Sequence, residues 1–265
     1  MKSVAERLAV YEGRGFSSET AAILVLIEET LHALFSVFPD TFVLFGGATL
    51  VLFYGSQRHS ADIDLLVDSE QPPNPDEITK AILPPLREVA AILGLEQISI
   101  EPIISADNFQ KLNVFLPVQG KVLFTIDIGS VSAIIKSELV EQNVLSEEAR
   151  IKYPTRNLLL LHKAEAFLGR KNVKCRDAFD IKMLIDSGAE LDDNLKSHLQ
   201  DGPAAEHLED VEFIRKRIAS VTSARCTNEL QPFLPKEVFD SLEEEGFEPL
   251  RESLRNLFSE WLTND

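Results

Sequence analysis

Residues 19 to 38, ETAAILVLIEETLHALFSVF, carry apolar side chains at helical spacing over a length that only a helix explains, and Pro39 and Asp40 end it. The next run, TFVLFGG, is short and almost wholly apolar, which predicts a buried strand broken by Gly46 and Gly47. ATLVLFYG reads as a helix of about two turns, SQRHSA as a polar loop, and DIDLLV as a second strand. Residues 71–76, QPPNPD, form a Pro-rich connection in which Asp76 is placed to cap a helix running to Leu93, with Gly94 as its stop. Three strand-like runs follow, EQISIEPI, KLNVFLPV and KVLFTIDIG, the last two joined at a Gln-Gly hairpin signal. From Val131 onward the pattern turns helical almost throughout, in RNLLLLHKAEAFLG, CRDAFDIKMLID, LEDVEFIRKRIASV, KEVFDSLEEE and PLRESLRNLFSEWL.

This order of elements predicts the α/β class, of α+β type: a small mixed sheet with helices, then a helical C-terminal half. The expected division is a core with its N-terminal helix at 1–150 and a helical region at 151–265. No internal repeat or low-complexity segment interrupts it.

The strand DIDLLV raises a chemical question. Side chains alternate along a strand, so Asp62 and Asp64 share one face while Ile63 and Leu65 share the other. Two like charges that close repel, and aspartate is disfavoured in strands. A divalent cation is the usual compensation. Asp127, flanked by Ile126 and Ile128 in KVLFTIDIG, offers a third carboxylate; its bland reading is a strand-end residue on a solvated face. Oxygen-only ligands point to Mg²⁺, with Mn²⁺ as the alternative. Two such ions about 3.5–4 Å apart can activate a hydroxyl and stabilise a leaving pyrophosphate. Gly46 and Gly47 permit close backbone approach just before a helix N-terminus, where free N–H groups and the helix dipole favour phosphate. Alone, each signal is weak; in this order they place a triphosphate cradle beside a metal site.

Composition bounds the reading. Hydrophobic residues make 45% and charged residues 26% of 265 positions, ordinary for a soluble globular chain. No run of 18 apolar residues suggests a transmembrane helix, and the N-terminus lacks the apolar stretch of a signal peptide. Cys175 and Cys226 make no recognisable metal or disulfide framework, which fits a reducing cytoplasm. There is no P-loop, no G-x-G-x-x-G, no zinc spacing among the histidines and no G-x-S-x-G elbow. The net charge of −17 disfavours nucleic acid at long range. Between Lys152 and Lys182, however, eight basic residues face three acidic ones, so that segment alone is +5 and the remainder −22. A solvated helix face would explain the same run.

The stretch GGATLVLFYGSQRHSADIDLLV resembles the signature of the AbiEii/AbiGii type of nucleotidyltransferase toxin, within the DNA polymerase β-like superfamily. Gly46, Gly47, Leu50, Gly55, Arg58, Ser60, Asp62, Ile63, Asp64 and Leu65 match residue by residue. LHKAEAFLGR is similar to the family's lysine motif through Lys163, and CRDAFDI to its Arg-Asp-x-x-Asp-Ile motif through Arg176, Asp177, Asp180 and Ile181. The resemblance covers residues 40 to 185.

That resemblance implies roles. Asp62 and Asp64 would bind the metals, and Asp127 would share one and accept the proton of the acceptor hydroxyl. Lys163 would reach the phosphates of an NTP; taken by itself it reads more simply as a snorkelling surface lysine. Arg176 and Asp177 form either a local ion pair or part of the nucleotide site. Asp180, one turn from Arg176, could orient Lys163. Arg58 and Ser60 would lie over the phosphates, or be loop residues without a part in the chemistry. The implied activity is Mg²⁺-dependent transfer of a nucleoside monophosphate to an acceptor hydroxyl, with a tRNA 3′ end as acceptor, a cognate antitoxin as partner and 152–182 as the RNA-docking surface. The alternatives are a small-molecule or protein acceptor, and a non-catalytic module with the same fold.

Overall fold

The structure, a computed structural model, describes residues 2–68, 72–95, 97–106, 109–146 and 149–262. Gln71 of the Pro-rich connection and Glu96 at the start of EQISIEPI therefore lie outside the described residues. The chain divides into two units, 1–154 and 155–265.

In the first unit the elements run α1 (Val4–Gly13), α2 (Ser18–Val37), β1 (Phe42–Phe45), α3 (Gly46–Phe53), β2 (Asp62–Val67), α4 (Pro75–Ile92), β3 (Ser99–Ala106), β4 (Phe109–Leu116), β5 (Lys121–Ser130), α5 (Ala133–Ser137), β6 (Leu139–Ser146) and β7 (Ala149–Pro154). The seven strands form one mixed sheet in the order β3-β4-β5-β2-β1-β7-β6. Strand β2 pairs antiparallel with β1 and parallel with β5, and β1 pairs parallel with β7.

Local chemistry explains these elements. Ser17 caps α2 by accepting from the Thr20 amide, satisfying a donor the helix itself leaves open. Helix α4 starts two residues earlier than a cap at Asp76 would place it: Asn74 is the cap, Pro75 takes the first helical position and Glu77 closes a capping box. Gly94, at φ +69°, follows its end as expected. The β4–β5 hairpin turns at Gly120, φ +61°.

One expectation is corrected. The segment after Val131 is not helical throughout, because β6 and β7 form an antiparallel hairpin that extends the sheet past β1. Neither strand has the long apolar run that marks β1, so the sequence signal is weak, and pairing to a preformed edge decides the outcome.

One face of the sheet carries Leu112, Ile126, Ile63, Leu65 and Leu44, which share a buried core with Leu24, Ile27, Leu31 and Leu34 of α2 and Ile78, Ile82 and Leu86 of α4. Helix α2 is long and apolar enough to cross a membrane by length and composition, but these side chains are spent on the sheet.

The second unit is helical: α6 (Arg156–Gly169), α7 (Cys175–Asp186), α8 (Asp193–Asp201), α9 (Ala205–Leu208), α10 (Val211–Ala219), α11 (Ser223–Leu230), α12 (Lys236–Glu244), α13 (Glu248–Leu257) and α14 (Ser259–Leu262). Phe167, Leu168, Leu184, Leu254 and Phe258 are among its fully buried side chains.

Candidate functional site

The register of the sheet assembles the acidic face. Asp64 of β2 lies opposite Asp127 of β5, and Asp62 opposite Thr125. Paired residues of neighbouring strands point to the same side, so all three carboxylates stand on the face away from α2 and α4. Ile63 and Leu65, pointing the other way, are fully buried. The alternation thus lets one strand serve the core and carry charge at once.

Each carboxylate has a defined neighbour. Asp62 Oδ1 accepts from the Thr125 hydroxyl at 2.9 Å. Asp64 lies against the turn at Gly46, whose φ is +69° and where an added Cβ would strike the Asp64 carboxylate. Asp127 is met by Lys111 of β4, its register partner. The Lys111 Nζ lies 2.9 Å from Oδ1 and donates a hydrogen bond to Oδ2 at 3.0 Å. Oδ1 itself is buried and accepts no hydrogen bond.

Gly46 opens α3 directly, and the N-cap residue Phe45 contributes no side-chain capping hydrogen bond. A helix start directed at the acidic face favours an anion through its dipole and its first amides. Gly47 sits under the loop: a Cβ there would come 2.6 Å from Ser60 Oγ and 3.1 Å from an Arg58 terminal nitrogen. Arg58 is only 4% exposed and donates to the His59 carbonyl at 3.1 Å. Ser60 donates to the Asp62 carbonyl at 3.3 Å. The GSQRHS loop is thus packed down onto the Gly-Gly turn.

The donor set suits a hard divalent cation, since oxygens alone are offered by the three carboxylates and they share one face. In this structure they are not closed round a common point. Among the described residues no group of three or more His, Cys, Asp or Glu side chains is arranged to hold a metal ion.

The second unit holds its own charged cluster. Lys163 on α6 lies 3.1 Å from Asp177 Oδ1 and 2.8 Å from Asp180 Oδ2, both on α7. Arg170 contacts the other Asp177 oxygen at 2.5 Å. Both aspartates are buried and Lys163 nearly so, which makes Lys163 an internal counter-charge and not a snorkelling surface residue. Asp177 pairs with Lys163 and Arg170; a local pair with Arg176 is one of the two alternatives the sequence leaves open. Both acids face Lys163, because they are three residues apart on one helix.

Three participants escaped the sequence reading: Lys111, Thr125 and Arg170. The first two were visible in outline. Thr125 precedes Asp127 by two positions and so shares its face, and Lys111 alternates with buried Leu112. Only the strand register makes them neighbours of the acids. The two cysteines likewise come together, with Cys175 and Cys226 buried and their sulfurs 2.8 Å apart. The hydrogen bond with the Cys226 sulfur, together with burial, pushes the Cys175 thiol well above its usual range.

The fold resembles that of solved nucleotidyltransferases. MenT4, a nucleotidyltransferase toxin from Mycobacterium tuberculosis H37Rv, superposes with a TM-score of 0.53 at 15% identity, covering 100% of this chain and 91% of that one. JHP933 from Helicobacter pylori does so with a TM-score of 0.57 at 16% identity, covering 93% and 94%. At such identities the likeness is one of fold. No curated protein matches the chain. With the motifs on this sheet, the class defined is that of a nucleotidyltransferase. More narrowly, the model of the nucleotidyl transferase AbiEii toxin family, of type IV toxin–antitoxin systems, matches residues 31–259, and the chain belongs to that family. The match runs well beyond the motif region at 40 to 185, so most of the C-terminal helices are part of the family's own architecture.

Proposed function

We propose that the chain transfers a nucleoside monophosphate from an NTP to an acceptor hydroxyl, releasing pyrophosphate, and that Asp62, Asp64 and Asp127 hold the Mg²⁺ or Mn²⁺ the reaction needs. The observation that carries this is the pairing of Asp64 with Asp127 across two parallel strands, two residues from Asp62 and beside the Gly46 turn. When bound, the cation supplies charge neutralisation at the phosphates and acidifies the attacking hydroxyl. The start of α3 offers amides to phosphate oxygens, and Arg58 and Ser60 keep the loop over that turn. Asp127 is the group assigned to take the acceptor's proton. In the helical unit Lys163 is assigned to phosphate binding, held by Asp177 and Asp180, with Arg176 on the same helix as a further nucleotide contact.

We assign the acceptor to RNA, specifically a tRNA 3′ end, and the protein to the cytoplasm as the toxin of a pair with a cognate antitoxin; membership of a type IV toxin family supports the pairing. A small-molecule acceptor is the second reading, and one observation favours it. Of the eight basic residues from Lys152 to Lys182, four are already neutralised: Lys152 by Asp40, Lys163 by Asp177 and Asp180, Arg170 by Asp177, and Lys182 by Asp186. What remains for RNA is centred on Lys171, Lys174 and Arg176 around the start of α7.

The experiment is incubation with each α-labelled NTP, Mg²⁺ or Mn²⁺ and total bacterial tRNA, beside an Asp62→Ala/Asp64→Ala control. Label on RNA from the intact protein alone supports both proposals. NTP binding without transfer to RNA moves the acceptor to small molecules or proteins. Absence of NTP binding overturns the site.

A further inference from the structure

Lys111 stands where the carboxylate site needs positive charge. Across the sheet the open-face row reads Lys111, Asp127, Asp64, on β4, β5 and β2. The lysine's side chain is 30% exposed and that of Asp127 24%, so the pair is half withdrawn from water at the rim of the acidic face. Its ammonium lies within 3.0 Å of both Asp127 oxygens. Three carboxylates on one face would carry a formal charge of −3; with Lys111 the face carries −2.

We propose that Lys111 is a positioning residue of the nucleotidyl-transfer site, a built-in counter-cation that holds Asp127 in place and that a divalent ion must displace or repel to engage that carboxylate. This rests on the reading of Asp62, Asp64 and Asp127 as metal ligands. Lys111 acts through Asp127, and its effect is electrostatic. It lowers the affinity of the nucleotide-free site for a divalent cation, so that loading is favoured when the cation arrives with the negative charge of a triphosphate. An ammonium this close to a doubly charged ion repels it by an amount that corresponds, even in a water-like dielectric, to a factor of about ten in affinity.

The test is Mn²⁺ binding to the full chain without nucleotide, read by electron paramagnetic resonance as the loss of free-ion signal. Lys111→Met is expected to bind Mn²⁺ about tenfold more tightly than the wild type, and Lys111→Arg, which keeps the charge, to bind as the wild type does. Lys111→Gln repeats the measurement should methionine unfold the sheet. Equal or weaker binding by the folded neutral variants would overturn the inference, as would Lys111→Arg behaving like Lys111→Met. Asp62→Asn/Asp64→Asn separates the two readings. If the wild type binds Mn²⁺ no better than this double variant, the metal reading itself fails and the inference falls with it.

Discussion

At the scale of single residues, the site is shaped by what small groups allow. Gly46 adopts φ +69° against the Asp64 carboxylate, a conformation that costs an L-residue about 1–2 kcal/mol. Gly46→Ala should therefore lower stability by at least that amount and displace Asp64, with nucleotidyl transfer falling more than tenfold; differential scanning calorimetry and the labelled-NTP assay check the two effects. Gly47→Ala meets Ser60 and Arg58 and should impair NTP binding with a smaller loss of stability. The acids behave in the opposite sense. Replacing Asp64 by Asn removes repulsion between charges that lie in register, so Asp64→Asn is expected to abolish activity while the melting temperature stays level or rises. A fall of several degrees with partial activity would mark Asp64 as a structural residue. These residues were legible in the sequence because strand alternation and glycine's conformational freedom are local properties.

Among elements, the informative cases are buried charges between helices. Arg7 of α1 pairs with Glu29 of α2 at 3.0 Å, and Tyr11 donates to Glu28 at 2.5 Å. Burial raises the Glu28 carboxyl above its usual value near 4.5, against the opposing effect of the Tyr11 hydrogen bond and the Arg7 charge. An acid with a raised folded-state value binds its proton more tightly in the folded chain. Its contribution to stability is present below pH 4.5 and lost as pH rises through the raised value. Glu28→Gln should thus raise the melting temperature near neutral pH, with the gain vanishing at about pH 4; a pH series of thermal melts tests it. Between α6 and α7, Lys163 compensates two buried acids. Lys163→Ala removes the cation that both acids contact and should cost about 3 kcal/mol by urea denaturation. Lys163→Arg, keeping the charge, should recover most of that stability, and any activity then still missing measures the lysine's own part in the reaction. The cysteines between α7 and α11 are expected to resist thiol reagents in the native state and to react together once the second unit unfolds.

On the scale of the whole molecule, the boundary between the units matters. Strand β7 ends at Pro154, and its central pairing joins Val43 of β1 to Lys152. The expected division at 150 cuts through that strand. A chain ending at residue 154 should melt cooperatively, while one ending at 150 should lose the β1–β7 pair and melt at lower temperature or not cooperatively. Charge is the other global property. The segment 152–182 reads as +5 along the sequence, but ion pairs within each unit neutralise half of its cations. If RNA binds mainly at Lys171, Lys174 and Arg176, about three phosphate contacts are involved. Log Kd against log salt should then have a slope of about 2 to 3, well below that of an eight-contact surface.

Periodicity alone determined the long core helix, the apolar strand β1, the Gly-Gly turn and the shared face of Asp62 and Asp64, since each depends on neighbours within a few residues. The family was legible by a different route, through the resemblance of motifs whose residues lie close together along the chain. Tertiary structure decided what depends on register and burial: Asp64 beside Asp127 across 63 positions, Thr125 on Asp62, and Lys111 on Asp127. It also decided that β6 and β7 are strands, because an edge beside β1 offers hydrogen bonds that a weakly patterned segment takes in preference to helix. Lys163 shows the difference most directly. By spacing it reads as an exposed lysine on a helix, and only the approach of α7, with two buried carboxylates on one face, turns it into an internal charge.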